Sequence, residues 1–272
     1  MYRLLFVITA FLLFSCKKEN YIAPDSPSPD PVSRAALLKN IVIPNLPSPY
    51  YHFEYDTAGK VVFVSFASDF TRYDVVYNGG RLSEMKNNII VNKDRLQYLY
   101  DNEGRIKTVT YADSTGLVYT RLNLSYQGEK LIEIDRERKS GNTFIIDKTL
   151  TMSYHPDGNL LDLTYHYLPF NAQAEAVYND RFEQYDNKIN VDGFGLIHNE
   201  FFDHLVLLPG VELQKNNPGK ESRTGDAENY TVDYTYTYND KNLPLRKKGD
   251  LLILSGNNSG RRFETNSVFS YY

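Results

Sequence analysis

The chain has 272 residues, with 30 Lys plus Arg against 34 Asp plus Glu; a net charge of −4 and no basic cluster argue against nucleic acid as a partner. One cysteine excludes an intrachain disulfide, and 23 tyrosines with no tryptophan give a composition suited to strands.

The first fifteen residues, "MYRLLFVITAFLLFS", carry one basic residue, Arg3, and an apolar run from Leu4 to Phe14 broken only by Thr9. That run is shorter than the roughly 20 residues of a bilayer-spanning helix, so residues 1–15 read as a signal peptide. Cys16 stands where the apolar run stops and charge begins, and Leu13-Phe14-Ser15-Cys16 resembles a bacterial lipobox, which implies cleavage before Cys16 and its lipidation. Residues 16–34, "CKKENYIAPDSPSPDPVSR", hold prolines at 24, 27, 29 and 31 and read as a semi-rigid tether between a lipid anchor and the folded part.

From residue 35 to 272 one phrase returns: "YDTAGKVV" from Tyr55, "YNGGRLSEM" from Tyr77, "YDNEGRIKTVTY" from Tyr100, "YQGEKLIEI" from Tyr126, "YHPDGNLLDL" from Tyr154 and "YNDKNLPL" from Tyr238. An Asp at the start of the turn, as at Asp101, can accept turn amides, and the fourth residue after the tyrosine tolerates positive φ: Gly59, Gly104, Gly158 or Asn242. The phrase is a hairpin turn. Its flanks "RLNLSY", "TLTMSY" and "YTVDYTYTY" alternate large apolar with small polar residues, the period of a half-buried strand. The fold class is mainly β, an antiparallel meander of a dozen or more strands forming a curved sheet or a barrel-like domain with a core on one face. The stretch 194–208, "FGLIHNEFFDHLVLL", breaks the alternation and reads as a short helix or buried plug.

Catalytic signatures are sparse. His198, Glu200 and His204 lack the order of a zinc hydrolase, and "GNNSG" (256–260) reads as a turn. The turn carboxylates Asp56, Asp101, Asp157 and Asp240 lack the spacing of a calcium loop, so capping explains them, and no metal or cofactor is expected. "EKLIEIDRER" (129–138) sets Glu133, Asp135 and Glu137 against Arg136 and Arg138 on the other face, which neither face of a lipid-embedded strand tolerates. A water-soluble domain is therefore expected.

The Tyr-Asp-x-x-Gly-Arg turns resemble, distantly, the YD repeats of Rhs-type shell proteins. Together with the lipobox, the Pro/Ser tether, Tyr185-Asp186-Asn187-Lys188-Ile189-Asn190, Lys215-Asn216-Asn217-Pro218 and the Tyr-rich strand from Tyr230, the chain is similar to Bacteroidetes lipoproteins with a porin-like-fold domain of unknown function. That resemblance implies an outer-membrane lipoprotein, periplasmic or surface-exposed. The sequence reads as a non-enzymatic binding or scaffold domain, with a glycan or envelope protein as partner and the membrane reached through Cys16. A secreted hydrolase with sequence-distant carboxylates inside the curved sheet stays open as the alternative.

Overall fold

A computed structural model describes residues 37–88, 94–191 and 206–272. Sixteen antiparallel strands run in chain order around a closed barrel: β1 (Leu38–Val42), β2 (Tyr51–Tyr55), β3 (Val61–Phe66), β4 (Thr71–Asn78), β5 (Arg81–Asn87), β6 (Arg95–Tyr100), β7 (Ile106–Ala112) and β8 (Val118–Gln127), then β9 (Lys130–Ser140), β10 (Thr143–Tyr154), β11 (Leu160–Tyr167), β12 (Ala176–Glu183), β13 (Lys220–Gly225), β14 (Tyr230–Tyr238), β15 (Pro244–Ile253) and β16 (Arg262–Tyr271). β16 pairs with β1, so no edge is left open.

The recurring phrase builds one end of this barrel. Asp101 shows how: its Oδ1 accepts the backbone N–H groups of Glu103 and Arg105, both at 2.9 Å, while the Gly104 N–H donates to the Asp101 carbonyl at 3.1 Å. Gly104 sits at φ +85°, with Gly59 at +80°, Gly158 at +87° and Asn242 at +60°. Asp56 accepts two turn amides in the same way. At Tyr238 the acceptor is Asn239, bonded to the N–H groups of Lys241 and Leu243; Asp240, expected from the sequence to cap, is not the capping residue, because Asn239 holds the position right after the tyrosine.

All but one of the phrases also stitch their hairpin to the one before. The tyrosine hydroxyl donates to the carbonyl of the preceding phrase's aliphatic residue: Tyr77 to Val61 (3.0 Å), Tyr100 to Leu82 (2.7 Å), Tyr126 to Ile106 (2.9 Å), Tyr154 to Leu131 (2.6 Å) and Tyr185 to Leu160 (2.7 Å). Tyr55 to Leu38 and Tyr271 to Pro244 carry the ring through the β16–β1 closure, whereas Tyr238 turns to the Asp186 carboxylate. The basic residue of one phrase lies over the ring of the next: Lys60 over Tyr77, Arg81 over Tyr100, Arg105 over Tyr126 and Lys130 over Tyr154, at 4.8 to 5.3 Å. Tyrosine, turn, glycine, base and aliphatic are thus five parts of one joint.

Replacing Gly104 by Val places a β-branched side chain in the left-handed region, where Cβ also comes within 2.7 Å of the Arg81 guanidinium. A loss of about 1–3 kcal/mol is expected in urea unfolding.

Sixteen strands can enclose an aqueous channel, but behind β3–β11 the inward side chains are packed into a core. Val64, Tyr73, Met85, Leu96, Val109, Leu122, Ile134, Leu150, Leu163 and Tyr165 point inward from nine successive strands and are sealed from solvent. Val206, Leu207 and Leu213, from the stretch before β13, join the same cluster. Of the 194–208 stretch expected as helix or plug, only 206–208 lie within the described residues; they are not helical, and Val206 and Leu207 are buried.

Candidate functional site

The outer wall takes the other half of each alternation. In β10, β11 and β12 the residues between the buried ones are Thr149, Thr151 and Ser153, then Asp162 and Thr164, then Asn179 and Arg181. Register stacks them in two rows, Thr151 beside Thr164 beside Asn179, and Ser153 beside Asp162 beside Arg181. These six side chains line a shallow groove of ≈320 Å³.

Asp162 organises the groove. Its Oδ1 accepts from Arg181 Nε at 2.9 Å and Asn179 Nδ2 at 3.0 Å, and its Oδ2 accepts from the terminal nitrogen of Arg181 at 3.0 Å and Ser153 at 3.2 Å. Thr164 donates to the Asn179 carbonyl oxygen at 2.8 Å. Burial pushes the Asp162 carboxyl up, but the hydrogen bonds of Arg181 and Asn179 and the charge of Arg181 outweigh it and hold the group below its ordinary value. Stability from this pair is therefore present above the unfolded carboxylate range and is lost as pH falls through the folded value. Arg181→Met is expected to raise the Asp162 midpoint in a carboxylate NMR titration. One strand further, Thr149 donates to Asp135 at 2.6 Å, and burial together with Asp135 raises the Glu133 carboxyl. This wall offers a dense array of fixed donors and acceptors, suited to a ligand rich in hydroxyl or amide groups.

Three further carboxylates face the interior. Asp147 is sealed from solvent and accepts from Arg136 (Nε 2.9 Å, terminal nitrogen 2.6 Å) and Arg138 (3.1 Å). Asp180 accepts both arms of Arg223 at 2.6 Å, and the rings of Tyr178 and Tyr230 lie 4.4 and 5.0 Å from that guanidinium. Glu221 accepts the hydroxyls of Tyr230 and Tyr234 at 2.8 and 2.6 Å. Burial, reinforced by Glu221, pushes both phenols far above the ordinary tyrosine range. These groups are committed to one another inside the wall.

Cys16 and the His198–His204 pair lie outside the described residues. The other histidines are dispersed: His52 bonds Asn40, His155 meets the Phe182 carbonyl, and His166 pairs with Glu175. Among the described residues no three His, Cys, Asp or Glu gather as a metal site. The sequence reading passed over Asp147, Asp180, Glu221 and Arg223. The signal was present, since Asp180 shares its parity with Tyr178 and Phe182 in "YNDRFE" and must point where they point.

The fold and its wall thus define a closed sixteen-stranded barrel with a tyrosine-rich core packed behind β3–β11. No protein-family model matches the chain, and none of the curated proteins matches it in sequence. Solved structures do. A porin-like protein from Bacteroides uniformis superposes with a TM-score of 0.58 at 14% identity, over 82% of this chain and 89% of that one. A porin-like protein from Bacteroides vulgatus gives 0.53 at 15% identity, over 81% and 92%. The likeness is one of fold.

Proposed function

We propose that this chain is a non-enzymatic lipoprotein of the cell envelope, tethered through Cys16, whose barrel stands in water and presents its outer wall to a glycan or envelope protein. The observation that carries the reading is the direction of polarity. A membrane-spanning barrel needs an outward apolar band about 25 Å tall. Here the outward positions are Arg121, Asn123 and Ser125 on β8, Glu133, Asp135 and Glu137 on β9, Asp162 and Thr164 on β11, and Thr231, Asp233 and Thr235 on β14. Tyr and Leu face the inside instead. Of the exposed apolar side chains, Phe70, Leu99 and Val177 stand apart on a turn, β6 and β12, while Ile145 and Ile146 adjoin on β10.

The porin-like description of the two Bacteroides neighbours supports an envelope setting. The inward carboxylates weigh against the hydrolase alternative, since Asp147 and Asp180 are held by guanidinium groups and Glu221 by two phenols.

The test has two arms. Residues 35–272 expressed without detergent are expected to be monodisperse and β-rich in buffer and to retain ligands on a glycan array or in an envelope pull-down, with Arg181→Met weakening capture. A product that folds only in micelles and conducts ions in bilayers overturns the barrel's placement. In cells, Cys16→Ser is expected to abolish acylation by mass spectrometry and release the chain from membranes; unchanged membrane association overturns the anchor.

A further inference from the structure

A different part of the barrel carries chemistry that the wall groove does not. At the tyrosine-turn end, beside the seam where β1 closes the barrel, Leu37, Glu54, Tyr55, Asp56 and Tyr272 line a cavity of ≈470 Å³. The rings of Tyr55 and Tyr272 meet edge to face at 85° with centroids 5.9 Å apart, forming an aromatic corner at the cavity's edge. Each ring is fixed by its hydroxyl: Tyr55 donates to the Leu38 carbonyl at 2.8 Å and Tyr272 to the Phe53 carbonyl at 3.0 Å. Both polar tips are thereby occupied by backbone, and 47% of Tyr272 remains exposed.

Two carboxylates complete the lining. Asp56 commits its Oδ1 to the amides of Ala58 and Lys60, and Glu54 reaches only a 3.4 Å contact with His52 while its side chain stays 55% exposed. Burial and the nearby Glu54 charge together raise the Tyr272 phenol, which places that carboxylate's field at the ring. The chain itself shows what this ring accepts: the Lys39 ammonium lies 5.0 Å from the Tyr272 centroid. An aromatic corner beside negative charge suits a positive group whose hydration is weak, because the ring faces replace water at low desolvation cost.

We propose that this cavity binds the ammonium group of a small ligand, a quaternary or alkylated amine, against the Tyr55–Tyr272 corner with Glu54 supplying the counter-charge. The site is independent of the wall groove. Lys39 is the internal competitor, since its charge repels an incoming cation and its ammonium already uses the Tyr272 ring.

The test is calorimetric titration of the full chain, held in a maltoside detergent, with choline and with its neutral isostere 3,3-dimethylbutan-1-ol. Choline is expected to bind about ten-fold more tightly than the isostere. Tyr272→Leu is expected to remove about ten-fold of choline affinity and leave the isostere little changed. Glu54→Gln, at an exposed position that does not threaten folding, is expected to weaken choline alone, and Lys39→Met to strengthen it. Equal binding of the two probes, no binding of choline, or a Glu54→Gln variant with wild-type choline affinity overturns the proposal.

Discussion

Asp147→Asn is expected to lower stability by about 3–5 kcal/mol, the cost of removing one member of a buried ion pair. Asp147 is the extra residue where the β9–β10 register slips between Ile146 and Lys148, and that bulge turns its carboxylate into the wall. Both oxygens are used, one by Arg136 and the other by Arg136 and Arg138 together. Its backbone carbonyl accepts the Leu168 N–H at 3.0 Å and the Gln173 side chain at 3.3 Å, so the same residue pins the turn between β11 and β12. Asparagine keeps the shape and loses the charge against which two guanidinium groups are held, one of them almost fully buried. On a chain of this size the fall in Tm is on the order of 10 °C. Urea unfolding of the single variant and of Asp147→Asn with Arg136→Met separates the causes. If the loss comes from a stranded buried charge, the double variant recovers part of it. A single variant that melts with the wild type refutes the assignment.

The turn end of this barrel was legible in the sequence because its physics is local. An Asp or Asn side chain, a residue at positive φ and a tyrosine lie within five or six positions of one another, so Asp101 and Gly104 announce their hairpin whatever surrounds them. Alternation was legible for the same reason, and it placed Leu122 and Leu124, or Leu150 and Met152, on the buried face. Closure was not, because it depends on β16 meeting β1 across more than two hundred residues, and no local pattern encodes that pairing.

The stitching was hidden in plain view. The tyrosine opening a phrase looked like a strand residue, yet in every copy but the one at Tyr238 its hydroxyl answers to a carbonyl 16 to 25 residues earlier. The wall groove is harder still to foresee. Thr151, Thr164 and Asn179 come together only through the register of three strands, and a slip by one residue would send all of them to the other face. Lipidation at Cys16 rests on local residues alone and is carried by the anchor experiment.

Gly225→Val is expected to cost about 3 kcal/mol or more, through conformation and collision together. Gly225 closes β13 at φ +126°, directly opposite Tyr178 on β12. A Cβ there collides with the Val177 carbonyl oxygen and comes within 2.7 Å of the Tyr178 Cα, both backbone atoms that cannot swing aside. The next residue locks the approach, because the Asp226 N–H donates to the Val177 carbonyl and the Val177 N–H donates to the Asp226 carboxylate, each at 2.8 Å. Relief requires β13 to move away from β12, and Arg223 of β13 then leaves the Tyr178 ring and the Asp180 carboxylate. The Tyr178 ring lies 4.6 Å from Tyr165, and the Arg223 guanidinium sits 4.4 Å from it while holding Asp180. The control is Gly116→Ala, also at positive φ (+87°) but with open space where the Cβ goes, where only the backbone term of about 1 kcal/mol applies. Urea unfolding should therefore separate the two variants by about 2 kcal/mol. Equal losses at the two positions mean that close packing of β12 on β13 contributes nothing at Gly225.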